Sequence, residues 1–225
     1  MNKSVGIALA AASLFAGAAA HADTTVYNGT PADGWFYGTG NGYTPANTEV
    51  LTTGSGDQLY LRWHEYKEVA PASDGSGVYD FALGTTPLSF DWGFDVAVAP
   101  TDPISGEITV VNIGTGQSAS YNIYDPYDIG YDFFNDNSYA NGSTQNSARL
   151  GFSFTDVGFD PNVDDTYSVT LDINGLTGGE KSLTAYAKFG AGAAVPEPAS
   201  WALMIAGLGA VGFAVRRRRT AISFA

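Results

Sequence analysis

His64 is the residue of this chain best suited to proton transfer, and it lies between Trp63 and Glu65. The other histidine, His21, falls within the first 22 residues, which are treated below as a leader. A Ser–His–Asp triad would have to use His64, yet no G-x-S-x-G turn presents a nucleophilic serine. The alternating pattern of its segment instead predicts a surface position on the polar face of a strand. The absence of cysteine excludes thiol catalysis and zinc–thiolate sites.

Paired carboxylates are the second catalytic arrangement to consider, because glycoside hydrolysis uses two of them across one cleft. Glu65 and Glu68 lie beside Trp63 and Tyr66, whose rings could stack on a sugar. Three residues apart along a strand, however, the two side chains point to opposite faces and cannot act together. Solvated charges on an edge strand are the favoured interpretation. A secreted glycosidase or lyase stays an alternative without a recognisable motif.

Two acidic loops are candidate calcium sites. Asp160, Asn162 and Asp164 match the opening of an EF-hand loop, in which alternate oxygens point at one hard cation. The match ends there, because the sixth position is Asp165 instead of glycine and the twelfth is Leu171 instead of glutamate. The second loop carries Asp125, Asp128, Asp132 and Asp136. The alternative for both is an acidic turn in which Asp and Asn serve turn formation. No cofactor is required, and calcium is the only candidate.

A tyrosine-rich segment could recognise sugars. Between residues 121 and 139, aromatic rings alternate with Asp and Asn, so flat apolar surfaces stand beside hydrogen-bonding groups. The candidate sugar-binding residues are Tyr124, Tyr127, Tyr131 and Tyr139. The same composition is typical of a long loop that folds over a domain and is held by its own rings, and this role is favoured.

Period-two alternation of apolar and polar residues predicts strands, each with one buried face. The clearest runs are 166–173 and 182–189, which predict a hairpin around Asn174-Gly175 and Gly178-Gly179. Further strands are predicted at 59–64, 78–83, 88–98, 107–113, 118–123 and 149–155. The segments 29–47 and 125–146 are predicted to be loops.

These strands must build an all-β domain, because the segment between the two termini shows no sustained helical stripe. Turn residues recur every ten or so positions, a spacing typical of sandwiches and barrels. Each connection is also too short for the helix that a parallel βαβ unit needs. The predicted fold is an antiparallel β-sandwich of jelly-roll kind.

The N-terminus has the three parts of a secretory signal peptide. Lys3 gives a positive start, residues 5–20 are apolar, and Ala20-His21-Ala22 forms an A-x-A cleavage site before Asp23. Residues 1–22 are therefore predicted to be removed by the general secretion machinery, which leaves residues 23–189 as one exported domain.

The C-terminal region combines a proline-bracketed glutamate, a Trp-Ala pair, an apolar stretch and a block of four arginines. In chain order these residues are Pro196, Glu197, Pro198, Trp201, Ala202, Arg216, Arg217, Arg218 and Arg219. The uncharged stretch from Trp201 to Val215 has 15 residues. As a helix it would span only about 22 Å at ~1.5 Å per residue, less than the ~30 Å of a bilayer core. It predicts a short membrane anchor. The arginines favour the cytoplasmic side, so the domain lies outside.

This order of motif, apolar span and arginine cluster closely resembles the PEP-CTERM sorting signal in its PEPxxWA variant. The resemblance covers roughly residues 195–219. It implies export in a Gram-negative bacterium, recognition of Pro196, Glu197, Pro198 and Trp201 by a membrane peptidase-transferase called an exosortase, and delivery to the cell surface or exopolysaccharide matrix. A plain membrane anchor after a proline-rich linker is the alternative. Residues 190–195 are then a tether, 196–219 the sorting signal and 220–225 a cytoplasmic tail.

The charge of the exported domain limits its partners. The chain has 23 acidic and 10 basic side chains. Setting aside Lys3, Glu197 and the four terminal arginines leaves 22 acidic and five basic ones, a net charge of −17. Such a surface repels nucleic acid and anionic lipid, so neither is expected as a partner.

Taken together, the sequence predicts a non-catalytic surface or matrix protein. Its precursor is expected in the inner membrane with the domain in the periplasm. The expected partners are exosortase and the secretion machinery. A carbohydrate-binding module for the organism's own exopolysaccharide is one alternative, and the glycosidase or lyase is the other.

Overall fold

A computed structural model of the chain describes residues 22–31, 44–97, 104–123 and 144–192. These residues form ten strands and one short 3₁₀ helix, Ser153–Thr155. The strands are β1 (Thr24–Gly29), β2 (Thr48–Thr52), β3 (Gln58–Glu65), β4 (Val78–Phe81), β5 (Leu88–Asp95), β6 (Ser105–Asn112), β7 (Ser118–Asn122), β8 (Thr144–Arg149), β9 (Asp165–Asn174) and β10 (Lys181–Phe189).

The strands lie in two five-stranded sheets. The first sheet has the order β1-β2-β3-β5-β8, and the second has the order β4-β10-β9-β6-β7. The predicted all-β sandwich is therefore confirmed. One pair departs from the predicted antiparallel arrangement, because β4 runs parallel to β10. The two strands are far apart in the chain, so no tight turn has to join them. A jelly roll has eight antiparallel strands, so the ten strands and the parallel pair set this fold apart from the predicted kind.

The core lies between the inner faces of the two sheets, as the period-two pattern predicts. In the first sheet, Leu59, Leu61 and Trp63 are fully buried on one side of β3. In the second sheet the inner residues are Tyr167, Val169, Leu171 and Ile173 of β9 and Leu183, Ala185, Ala187 and Phe189 of β10. The hairpin that joins β9 to β10 is also confirmed, with Ile173 opposite Lys181.

Three strands were not predicted, and one predicted strand is wrong. β1, β2 and β8 carry many polar residues, and β8 begins inside the segment 125–146 that was expected to be a loop. Of the expected strand at 149–155, only Arg149 lies in a strand, as the last residue of β8; a turn and the 3₁₀ helix follow. Its apolar alternation arises because Leu150 reaches the core from a turn while Phe154 packs on Tyr121, with ring centroids 5.1 Å apart.

Candidate functional site

The outer face of the first sheet holds a buried ion cluster, defined here as Arg62, His64 and Asp91. Arg62 and His64 are two apart on β3, and Asp91 is the register partner of Arg62 on β5, so all three share one face. The Asp91 carboxylate accepts from Arg62 Nε at 2.7 Å and pairs with Arg62 Nη2 at 2.6 Å. His64 Nε2 lies 2.9 Å from its other oxygen. The prediction that His64 is a surface residue is wrong, since its exposure is 0%.

The hydrogen bonds of His64 define its charge. Its Nδ1 faces the Glu65 carbonyl oxygen at 2.7 Å, and its Nε2 faces Asp91. A carbonyl and a carboxylate can only accept, so both ring nitrogens must carry protons and the imidazole is cationic. Burial raises the pKa of Asp91, but the positive charges of His64 and Arg62 and their hydrogen bonds outweigh it and hold the pKa below its usual range. The cluster is therefore one anion between two cations.

This cluster has no access to solvent. Arg62 also donates from Nη1 to the carbonyl oxygens of Thr44 and Ala46, the latter at 3.4 Å, which ties the segment before β2 to the sheet. The cluster therefore organises the sheet and its covering segment.

A second buried acid, Glu49, lies on the opposite, inner face of the same sheet. It is the register partner of Leu61, whose side chain belongs to the core. Within the described part of the chain neither of its carboxyl oxygens has a hydrogen-bond partner. Burial raises the pKa of Glu49 to about 8; the nearby hydroxyls of Ser73 and Tyr79 oppose the rise and the Asp74 carboxylate adds to it. Glu49 is therefore largely protonated at neutral pH.

The C-terminal exit of the domain is held by aromatic packing. β10 lies between β4 and β9 in the second sheet, and its last residue, Phe189, is fully buried. The Phe189 ring stacks on Phe81 at 5.6 Å and meets Phe159 and Tyr167 edge-on at 5.6 and 6.0 Å. The end of β10 is thus fixed to both neighbouring strands.

Two glycines follow this packed end, and each is required by its conformation. Gly190 and Gly192 have φ values of 56° and 60°. A Cβ on Gly190 would lie 1.9 Å from Asp164 Oδ1, and one on Gly192 would lie 2.4 Å from the Cγ of Lys188. The predicted tether, residues 190–195, therefore begins with a tight turn whose path only glycine follows without strain.

The N-terminal boundary is also tied to β10. The Asp23 carboxylate accepts a hydrogen bond from Gly54 N at 3.0 Å and forms an ion pair with Lys181 Nζ at 2.8 Å. These contacts lower the pKa of Asp23, with the Lys181 hydrogen bond the largest cause. The predicted cleavage site, between Ala22 and Asp23, thus falls directly before the first described contacts of the domain. The cleavage itself stays a prediction.

The exit leads into the segment that carries the sorting residues. Residues 194–219 match the family of the PEP-CTERM protein-sorting motif. The chain carries a PEP-CTERM sorting motif. Such a motif implies export and processing by an exosortase, as the sequence predicts. No curated protein and no solved structure matches the chain.

The individual residues of the PEP-CTERM motif lie outside the described part of the chain, although the family match spans all of them. They are Pro196, Glu197, Pro198, Trp201, Ala202, Arg216, Arg217, Arg218 and Arg219. The predicted membrane helix lies outside it as well. Within the described ranges no helix is long and apolar enough to cross a membrane. The roles of these residues in recognition and orientation therefore stay predictions.

The first candidate calcium loop is described. Asp160 Oδ1 accepts from the backbone and side-chain nitrogens of Asn162 at 2.9 and 3.2 Å, which closes a local turn. Asp164 lies against Gly190, and the Oδ1 atom of Asp165 accepts from Gly114 N at 3.0 Å. Among the described residues no group of three His, Cys, Asp or Glu side chains is arranged to hold a metal. The second loop, with Asp125, Asp128 and Asp132, is not described.

The candidate sugar-binding residues Tyr124, Tyr127, Tyr131 and Tyr139 also lie outside the described ranges. Only Tyr121, at the start of that aromatic segment, is described, and it is 2% exposed in the core. Glu65 and Glu68 are both exposed, and the strand ends at Glu65, so the two acids flank a turn instead of sharing a strand.

Sequence reasoning missed Arg62, Asp91 and Glu49. A signal for Asp91 was available, because it is the one charge between Phe90 and Trp92 in an apolar run. An acid is rarely fully buried unless it is paired, so a mid-strand Asp between aromatic residues predicts a buried cation nearby. Arg62 and His64 on the polar side of β3 supply two.

Proposed function

We propose that this protein is a non-catalytic β-sandwich protein of the cell surface or exopolysaccharide matrix, delivered by exosortase processing. The observation that carries the proposal is the PEP-CTERM motif at residues 194–219, which follows the end of β10 at Phe189 by only a few residues. A short spacer of this kind presents the motif close to a folded domain.

The proposed route has three steps. The general secretion machinery exports the chain and removes residues 1–22. The apolar stretch from Trp201 to Val215 then holds the precursor in the inner membrane, with Arg216–Arg219 on the cytoplasmic side and the domain in the periplasm. Exosortase finally cuts near Pro196–Pro198, and the domain reaches the surface.

A structural role fits the chemistry of the domain. His64, the only histidine after the leader, is committed to the buried ion cluster with both ring nitrogens. The domain has no cysteine, so its stability outside the cell depends on packing and on the buried cluster.

The test is the C-terminus of the surface form. Mass spectrometry of the extracellular protein should find a C-terminus near Pro196–Pro198, without Trp201 and the arginines. Glu197→Gln should trap the precursor in the inner membrane, while Glu180→Gln, an exposed acid outside the motif, should be processed normally. An intact arginine tail on the surface form would refute processing and leave a plain anchor.

A carbohydrate-binding role is the second candidate, favoured by the composition of the tyrosine-rich segment. Residues 123–143 connect β7 to β8, which are edge strands of the second and the first sheet. Tyr121 of β7 packs on Phe154 of the 3₁₀ helix that follows β8, with ring centroids 5.1 Å apart. The tyrosines of the segment alternate with Asp and Asn, so the segment supplies both rings for stacking and groups for hydrogen bonds to a sugar.

The test is a pull-down with immobilised exopolysaccharide. Alanine at Tyr124, Tyr127, Tyr131 or Tyr139 should weaken retention without lowering the melting temperature if these rings contact sugar. Tyr27→Ala, at a ring 41% exposed on β1, is the control. Equal retention of all variants would refute the sugar-binding segment, and turnover in a polysaccharide substrate panel would instead favour the glycosidase or lyase.

A further inference from the structure

The connection between β3 and β4, residues 66–77, is called here the latch loop. It lies along the edge of the sandwich and is tied to several strands. Asn28 of β1 exchanges two hydrogen bonds with the backbone of Ser73, at 2.6 and 3.0 Å. Asn47 Nδ2 donates to the Ala70 carbonyl at 2.8 Å, and Tyr186 N donates to the Gly77 carbonyl at 2.8 Å.

Glu49 lies directly beneath the end of this loop. An ideal Cβ on Gly77 would be 2.8 Å from Glu49 Oε2 and 3.2 Å from Oε1, so the carboxyl group rests on the bare Cα of that glycine. Gly77 has a φ of 93°, which favours glycine for a second reason. Glu49 is 0% exposed, and the Oγ atom of Ser73 beside it also has no hydrogen-bond partner within the described residues.

In the described part of the chain, the titratable groups that face Glu49 come from three elements, and none of them is a cation. Asp74 belongs to the latch loop, Tyr79 to β4 and Tyr27 to β1. Asp74 is an anion at neutral pH, because hydrogen bonds from Ser76 and Val78 outweigh the effect of burial and lower its pKa. Tyr79 already donates its hydroxyl to the Asn47 carbonyl at 2.8 Å. A charge on Glu49 would therefore be buried, unpaired and next to another negative charge.

We infer that Glu49 and the latch loop form a proton-dependent latch. When Glu49 is protonated, the loop stays seated on the edge of the sandwich. When Glu49 is ionised, the hydroxyls of Ser73 and Tyr79 do not offset the cost of burying the carboxylate, and water reaches it when the segment 73–77 lifts away. Lifting this segment breaks a few hydrogen bonds at one edge and leaves the core between the sheets intact, so it is less costly than global unfolding.

The pH dependence follows from proton linkage. In the closed loop the pKa of Glu49 is raised to about 8, whereas in the open loop an exposed glutamate has an ordinary pKa of about 4.3. The closed state thus binds more protons than the open state between these values. The equilibrium constant for opening of the latch loop, called here the opening constant, should rise by roughly tenfold per pH unit across this window and level off above it.

Hydrogen exchange measured by mass spectrometry on the purified full-length chain tests the latch. Exchange is recorded at pH 5, 6, 7, 8 and 9 and corrected for the intrinsic rate at each pH. Peptides from 66–77 should show opening that increases up to about pH 8, while peptides from β9 (Asp165–Asn174) should show no such increase. Glu49→Gln, which cannot ionise, should remove the pH dependence, and Glu107→Gln on the exposed face of β6 should not.

A second variant keeps the test decisive if Glu49→Gln folds poorly. Asp74→Asn keeps an oxygen that can accept from Ser76 but removes the neighbouring charge, so ionisation of Glu49 becomes easier. The opening constant should then level off at a lower pH than in the wild type. Latch-loop exchange that does not change with pH in the wild type would overturn the inference, as would an unchanged levelling point in Asp74→Asn or the same pH dependence in Glu49→Gln.

Discussion

Asp91→Ala tests whether the buried ion cluster is integral to the stability of the domain. The substitution removes the only anion of the cluster and leaves two cations, Arg62 and His64, without the oxygens that lie 2.6–2.9 Å from them. Both cations have no exposed surface, so water cannot replace the carboxylate without disrupting the outer face of the first sheet.

The expected loss in the free energy of unfolding is about 3–5 kcal/mol, the usual cost of removing one partner from a buried ion pair. Asp91→Asn should cost less than Asp91→Ala, because the amide keeps one oxygen that can accept from one of the two cations. Asp80→Ala is the control. Asp80 pairs with Lys188 at 3.8 Å on the surface, and an exposed pair contributes about 0–1 kcal/mol.

Urea denaturation of the three variants and the wild type, followed by tryptophan fluorescence, measures these differences. The order of stability should be wild type and Asp80→Ala together, then Asp91→Asn, then Asp91→Ala. Equal losses in Asp91→Ala and Asp80→Ala would refute the view that the cluster is integral. If Asp91→Asn were less stable than Asp91→Ala, the assignment of the Asp91 oxygens as acceptors for Arg62 and His64 would be refuted.

Three further predictions follow from the described residues. Folding raises the pKa of Glu49 from 4.5 to about 8, so the protonated side chain contributes stability that is complete below pH 4.5 and is lost as the pH rises through 8. The loss is up to about 5 kcal/mol at ~1.36 kcal/mol per pKa unit. Denaturation of Glu49→Gln across pH 5–9 should lack this decline, and a decline parallel to that of the wild type would contradict the prediction. Gly190→Ala should lower stability by about 1–2 kcal/mol, because its φ of 56° is left-handed; an unchanged melting temperature would show that the turn relaxes. If Asp160–Asp165 or the loop with Asp125, Asp128 and Asp132 binds calcium, a chelator should lower the melting temperature, because a ligand that binds the folded state stabilises it. Equal melting temperatures in chelator and in millimolar calcium would refute the metal site.

The strands that could be predicted from the sequence are those with one buried and one solvated face. In β10, Leu183 and Ala185 are buried while Ser182 is exposed, so the alternation is visible. In β3 the same pattern misleads, because Tyr60, Arg62 and His64 are as fully buried as their apolar neighbours. The polarity of one face shows only that its groups need partners, and here the partner is Asp91 on β5. Pairing of that kind depends on strand order, which local periodicity does not contain.

β8 was missed for a related reason. Thr144, Gln145 and Asn146 are all buried, yet they are typical of loops in sequence. The PEP-CTERM motif, in contrast, is a linear signal. Its residues are adjacent in the chain, so the sequence alone was sufficient to recognise it.

The position of β10 between two partners has a mechanical consequence for force applied at the C-terminal end of the domain. Consider a force applied to the C-terminal end of β10 along the axis of the strand. It loads the ladder bonds to β9 and to β4 on both sides at once, so the bonds share the load in shear and do not open one after another. The Phe189 ring packs among Phe81, Phe159 and Tyr167. This packing opposes the sliding of β10 past its neighbouring strands. The domain is therefore expected to resist unfolding when it is pulled from this end.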